Sequence, residues 1–149
     1  MDPRDVSDYT GYLIRRAQQA HVAAWQREVS AEVTSVQFGV LAVLARTPGA
    51  SQQQLCVELD LDRSTIADIV ARLERRELIA RIRASTDRRR NVLELTDAGR
   101  VEVRALLPRV ARVDDVLTAT LSPDEQRDLR RLLGKVLAAA AGRTAPDAP

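Results

Sequence analysis

The stretch SQQQLCVELDLDRSTIADIVARL, residues 51–73, decides how this chain is read. Ser51 followed three positions later by Gln54 has the form of a capping box, in which the two side chains satisfy backbone amides at a helix start. A short helix carrying Leu55, Cys56 and Leu59 follows, with its apolar side facing a core. Asp60-Leu61-Asp62 then makes a tight turn, and a second helix from about Arg63 keeps Ile66, Ile69, Val70 and Leu73 on one side. Two short helices joined by a brief turn form a helix-turn-helix. Downstream, Ile79, Arg81 and Arg83, and then Val92, Glu94 and Thr96, alternate about the polar tip at residues 84–91, which predicts a β-hairpin.

Working outward, a helix from about Thr34 to Arg46 carries Val36, Val40, Leu41, Val43 and Leu44 and is stopped by Pro48-Gly49. Before it, the spacing of Tyr9, Leu13, Ala17, Ala20 and Ala24 predicts a long amphipathic helix from about Val6 to Ser30, capped by Ser7 or Asp8. After the hairpin, Thr96 can cap a helix with Val103, Leu106, Leu107, Val110, Val113 and Leu117 on its apolar side, which Pro108 should kink. Ser122-Pro123-Asp124-Glu125 is a further helix start, and Leu129, Leu132, Leu133, Val136, Leu137 and Ala140 follow it. The pattern is lost at Gly142, and the tail from Arg143 to Pro149 is expected to be disordered. The fold expected is therefore mainly α: a winged helix-turn-helix of three helices and a hairpin at residues 34–99. Long terminal helices at residues 6–30 and 100–141 complete one domain over residues 1–149.

Composition agrees with that class. The 149 residues are 45% hydrophobic but only 3% aromatic, so the core must come from Leu, Val, Ile and Ala, which favours helices. The 23 Lys and Arg against 21 Asp and Glu sum to only +2, yet Lys135 is the sole lysine, so where the arginines fall matters more than the total. With Cys56 and His21 each the only residue of its type, no disulfide or Cys/His metal cluster is expected. An enzyme is not expected either, because the chain offers no nucleophile-base pair or glycine-rich phosphate loop. No apolar run reaches the roughly 18 residues needed to span a bilayer, and the first residues have no basic leader, so a cytoplasmic protein without membrane partners or cofactors is expected.

In a helix-turn-helix the second helix enters the major groove with its N-terminal residues against base edges. Here those are Arg63, Ser64, Thr65 and Asp68, with Arg72 a turn further on. Short hydroxyls let the backbone come close, Asp68 could accept from a cytosine amino group, and the arginines could reach guanine or phosphate. Such a run can be merely a solvated helix face. The hairpin tip changes the balance, because Arg88, Arg89 and Arg90, with Arg81 and Arg83 on the strand leading to them, form a cationic finger beside the reading helix. Asp87 is expected to pair with Arg89 and hold the loop in shape.

These residues resemble a known family. Leu61-Asp62-Arg63-Ser64-Thr65-Ile66, then Leu73-Glu74-Arg75-Arg76-Glu77-Leu78-Ile79, Asp87-Arg88-Arg89-Arg90 and Leu95-Thr96-Asp97-Ala98-Gly99 together resemble the MarR family of bacterial transcriptional regulators, and the resemblance extends over nearly the whole chain. It implies a homodimer whose first, fifth and sixth helices interlock and hold two winged helices over successive grooves. The apolar stripes of the terminal helices, larger than a small winged helix can cover, agree. Two-fold symmetry predicts a pseudo-palindromic operator with half-sites about 10 base pairs apart. Two departures stand out: Glu77, where the family commonly has glycine, would be strained in a left-handed conformation, and Arg90 replaces a commonly small residue.

The first helix also carries Tyr9, Tyr12, Arg15, Arg16, His21 and the only tryptophan, Trp25. His21 and Trp25 are four residues apart and neighbours on the helix surface, whereas Arg15 is rotated roughly 120° from His21. An arginine fork suits a carboxylate, imidazole suits a hydroxyl and aromatic walls suit a ring, which together describe a hydroxybenzoate. The bland alternative is a structural histidine, a core tryptophan and a solvated arginine. Arg15 and His21 resemble residues of the family's repressors of protocatechuate catabolism, which implies ligand contacts at Arg15 and His21, with Trp25 as a wall and Arg16 as competitor for the carboxylate. The expected function is release from an operator on binding a phenolic acid. The rivals are a redox switch at Cys56, for which a buried inert thiol is the expectation, and a winged helix that works without an effector.

Overall fold

The computed structural model describes residues 5–87 and 89–144. Its elements follow local chemistry. Helix α1 spans Thr10–Glu28. It begins later than the apolar stripe suggests: Val6–Asp8 form a separate 3-10 turn, and Tyr9, at the helix boundary, offers no side-chain cap. Neither Ser7 nor Asp8 is the cap, because extended backbone at Tyr9 (φ −90°, ψ 125°) separates them from the helix. Helix α2 spans Ser35–Arg46 and α3 spans Gln52–Leu59, and each starts in a complete capping box, Thr34 with Gln37 and Ser51 with Gln54. Helix α4 spans Arg63–Arg75. Strands β1, Ile79–Arg83, and β2, Asn91–Leu95, pair antiparallel in the register Ile79 with Leu95 and Arg83 with Asn91. Helix α5 spans Asp97–Leu117 and α6 spans Pro123–Thr144.

Packing divides the chain into two compact units, one ending at Asp114 and the other beginning at Asp115. In the first, Leu41, Leu44, Leu55, Ile66, Leu73 and Leu93 are the largest fully buried side chains, and they join α2, α3, α4 and the hairpin into one core. Trp25, Val33 and Phe38 extend that core to the end of α1. The hairpin is fastened from below, since Gly49 donates its amide to the Leu93 carbonyl and the Leu93 amide donates to Ala50. Gly99 allows the hairpin base to meet α5: a Cβ there would lie 2.0 Å from the Leu78 carbonyl oxygen, so the close approach requires glycine.

Helix α5 continues on both sides of Pro108, with Val103, Leu106 and Val113 buried along it, so packing holds the helix across the missing amide. Two further expectations change in detail. The last helix continues past Gly142 to Thr144, and the rest of the expected tail, residues 145–149, lies outside the described residues. The apolar stripe of α1 divides: Ala24 is buried, whereas Tyr9, Leu13, Ala17 and Ala20 are exposed in the single chain. The stripe of α6, Leu129, Leu132, Leu133, Val136 and Leu137, is exposed as well.

Candidate nucleic-acid interface and effector residues

The amides at the start of α4 are satisfied by Asp62. One carboxylate oxygen accepts from the Thr65 amide at 2.8 Å and from Ser64 Oγ at 2.8 Å, while the other accepts from Thr65 Oγ1 at 2.9 Å. The Thr65 amide, then the two hydroxyls, hold the Asp62 carboxyl at about 2, below its ordinary 3.8. Ser64 and Thr65 thus spend their protons on the cap and present lone pairs outward, a use that their residue types alone do not reveal. An aspartate three residues before a threonine, at the start of an apolar-periodic run, was the available signal.

Because Ile66, Ile69, Val70 and Leu73 face the core, the opposite side of α4 is free, and Arg63, Ser64, Asp68, Arg72 and Arg75 are exposed on it, with Thr65 half-buried. Arg75, in the last turn of the helix, belongs to this side too and adds a cation to those that the sequence pattern places there. On the hairpin, Arg83, Arg89 and Arg90 are exposed, and Arg88 lies outside the described residues. The tip is held by backbone bonds from Ala84 to Arg90 and from Arg90 to Asp87. Asp87 shapes it differently from the expected ion pair, since its carboxylate accepts the Arg89 backbone amide at 2.9 Å, leaving the guanidinium out of the contact. Arg81 does not join the cationic finger either. Its guanidinium is held by Glu74 at 2.9 Å and by Gln52 at 2.8 Å, a tie from strand to α4 and α3.

That difference extends across the surface. Arg46, Arg76, Arg81, Arg100, Arg127 and Arg131 all form ion pairs, with Glu58, Glu32, Glu74, Asp97, Asp124 and Asp128 respectively. Arg63, Arg72, Arg75, Arg83, Arg89 and Arg90 make no ion pair among the described residues. The second helix of the helix-turn-helix and the hairpin thus carry six guanidinium groups outside any ion pair among the described residues, an arrangement that phosphate and base edges can complete, while Arg15, Arg16, Arg27, Arg104, Arg109 and Arg112 are likewise outside the ion pairs.

The α1 residues are less concentrated. Arg16 donates to Tyr12 Oη at 3.0 Å, and the guanidinium carbons of Arg15 and Arg16 stand 5.2 and 5.8 Å from the Tyr12 ring. Arg15 is exposed and His21 half-buried, its ring centroid 6.1 Å from that of Trp25. Trp25 is only 5% exposed, packs on Phe38 at 5.7 Å and donates its indole N–H to the Val33 carbonyl at 2.6 Å. It is thus a core residue whose polar atom is already used. Concave surfaces of about 380 and 530 Å3 lie against α3 and the hairpin, with Ser51, Gln54 and Arg90 on both, and Arg15, His21 and Trp25 line neither. Cys56 is half-buried instead of fully buried: its neighbour Leu55 takes the buried position on α3, and Cys56 packs at the edge of the core and lines a shallow concavity with Arg63 and Ala67. No helix among the described residues is long and apolar enough to cross a membrane, and no group of three His, Cys, Asp or Glu among them could hold a metal ion.

Comparison with known proteins accords with this geometry. Residues 32–90 match the family model described as MarR family. The transcriptional repressor NicR of Pseudomonas putida is 32% identical over 91% of this chain and 86% of its own length. The crystal structure of the PcaV regulator from Streptomyces coelicolor, in complex with its natural ligand, is 43% identical, with a TM-score of 0.88 over 94% of this chain and 99% of that one. The Bordetella bronchiseptica regulator BpsR, whose DNA binding is regulated by 6-hydroxynicotinic acid, is 30% identical, with a TM-score of 0.83 over 91% and 99% of the two chains. A capped reading helix, a hairpin with free arginines and relatives matched along nearly their full length lead to one assignment: the chain belongs to the MarR family of transcriptional regulators.

Proposed function

We infer that this regulator is a repressor that binds a pseudo-palindromic operator as a homodimer and leaves it when a phenolic carboxylic acid of the hydroxybenzoate class binds. The observation that carries the DNA-binding half is the placement of Arg63, Arg72, Arg83 and Arg90, exposed on the second helix of the helix-turn-helix and on its hairpin and in no ion pair among the described residues. Ser64, Thr65 and Asp68 read base edges, Arg63 and Arg72 reach guanine or phosphate, and Arg83, Arg88, Arg89 and Arg90 follow the adjacent backbone or minor groove. The apolar faces of α1 and of α6, exposed in one chain, are covered by the second copy.

For the effector, Arg15 supplies a guanidinium with no carboxylate partner among the described residues and His21 a half-exposed imidazole, and Trp25 forms the wall behind it. The regulation of BpsR by an aromatic hydroxy acid supports this class of ligand. Binding favours a spacing of the two reading helices that no longer fits the grooves, and a coupling of about 1 to 3 kcal/mol weakens DNA affinity about 5- to 150-fold. The test is a titration of 3,4-dihydroxybenzoate against protein bound to a duplex selected from random sequence. Release is expected, and Arg15→Ala should abolish it without weakening DNA binding. If neither this acid nor its mono-hydroxy relatives release the duplex, the effector half of the reading is wrong.

A further inference from the structure

The six residues between α1 and α2, Val29 to Thr34, are held from every side. Trp25 of α1 donates its buried indole N–H to the Val33 carbonyl at 2.6 Å. Arg109 of α5 donates to the Val29 carbonyl at 3.3 Å. Ser30 Oγ accepts the amides of Glu32 and Val33, both at 3.0 Å, which folds the segment on itself. Thr34 then opens α2 through its capping box. The remaining tie runs to the reading helix: Arg76, immediately after the last residue of α4, donates to the Glu32 carbonyl at 3.1 Å and stands 3.6 Å from the Glu32 carboxylate.

We propose that this connector is the relay between the effector face of α1 and the reading helix, with Arg76 as its positioning residue. The His21 ring lies against Trp25, Trp25 grips one peptide carbonyl, and Arg76 grips the carbonyl next to it. A shift of the indole is thereby delivered to the C-terminal end of α4 within two residues of chain. Because the thirteen residues of α4 span about 20 Å, rotation about that end is largest at Arg63, the end that enters the groove. Coupling between distant sites is carried by contiguous hydrogen-bonded and packed networks of this kind. The tie contributes little to folding, since the Arg76 side chain is 35% exposed and that of Glu32 84%, and ion pairs so exposed contribute little to stability. Removing it should therefore uncouple the protein without unfolding it.

The relay is tested first without any effector, by a double-mutant cycle on operator affinity using Trp25→Phe, which keeps a ring and removes the N–H, and Arg76→Ala. Ser30→Ala replaces Trp25→Phe if the melting curve shows that the latter has unfolded. Residues in one network interact, so the combined loss should fall short of the product of the single losses by about threefold or more. Multiplicative losses overturn the proposal. Arg76→Ala should also leave the salt dependence of DNA binding unchanged; a slope lower by about 1 would make Arg76 a phosphate contact and overturn it too. The last arm rests on the effector reading proposed above: Arg76→Ala should bind 3,4-dihydroxybenzoate as wild type does, measured calorimetrically, yet lose most of its release from the operator. Release equal to that of wild type overturns the relay. If the acid fails on wild type, the effector reading fails and the effector-free cycle still decides the relay.

Discussion

Asp62 shows how one carboxylate both begins a helix and prepares its surface. Its folded-state pKa of about 2 lies below the ordinary 3.8, so the stabilisation it supplies is complete above the ordinary value and is lost as pH falls from about 4 toward 2. Acid titration of thermal stability should show that loss in wild type and a smaller one in Asp62→Asn, which keeps an acceptor but cannot titrate. Glu77 is the strained counterpart at the other end of α4. Its φ of +57° places it in the left-handed region, where the Leu78 amide returns to the Leu73 carbonyl and Thr96 Oγ1, from beyond the hairpin, donates to the Glu77 carbonyl at 2.6 Å. A left-handed residue with a side chain costs about 1–2 kcal/mol, and glycine's greater unfolded freedom returns about 0.4–1 of that. Glu77→Gly should therefore raise stability by about 0.5–1 kcal/mol in denaturant melts, and a fall in stability would show that the Glu77 side chain makes a contribution of its own. The conditional expectation about this residue resolves to strain, which the sequence could pose but not decide, because φ at a helix end depends on where the next strand must go.

At the scale of elements, the capping boxes at Thr34, Ser51 and Ser122 are local patterns with local causes, and each forms where its spacing places it. The hairpin is less local. Its alternation was legible, but its attachment through Gly49 and Ala50 to Leu93 joins residues more than forty positions apart and left no periodic trace. The same limit applies to its arginines: Arg81 and Arg83 look alike in sequence, and only the proximity of Glu74 and Gln52 separates the neutralised one from the free one. Their substitutions should differ accordingly. Arg83→Ala and Arg90→Ala should each lower the salt slope of operator binding by about 1, whereas Arg81→Ala should leave the slope unchanged and instead lower the melting temperature. Equal slopes for all three variants would contradict the division between paired and unpaired arginines.

For the whole molecule, the exposed leucines of α6 set the central expectation. Leu137 is 67% exposed in one chain, in a row with Leu133 and Leu129 that no solvated helix requires. Leu137→Asp should shift the protein toward monomer in sedimentation. It should also weaken binding to a two-half-site duplex by about 100-fold or more while sparing a single half-site, because the loss is one of effective concentration and not of contacts. Undiminished dimerisation would place the interface elsewhere. The sequence alone determined the order of the elements, the helix-turn-helix with its hairpin, the buried stripes and the side of α4 that stays free, since apolar periodicity and caps are short-range properties. Only the tertiary structure decided which arginines are already paired, that Trp25 is a core residue, and that the connector at residues 29–34 is gripped by α1, α4 and α5. The physical reason is that an ion pair or a side-chain bond to a distant carbonyl depends on two surfaces meeting, and nothing in the spacing along one of them records the other.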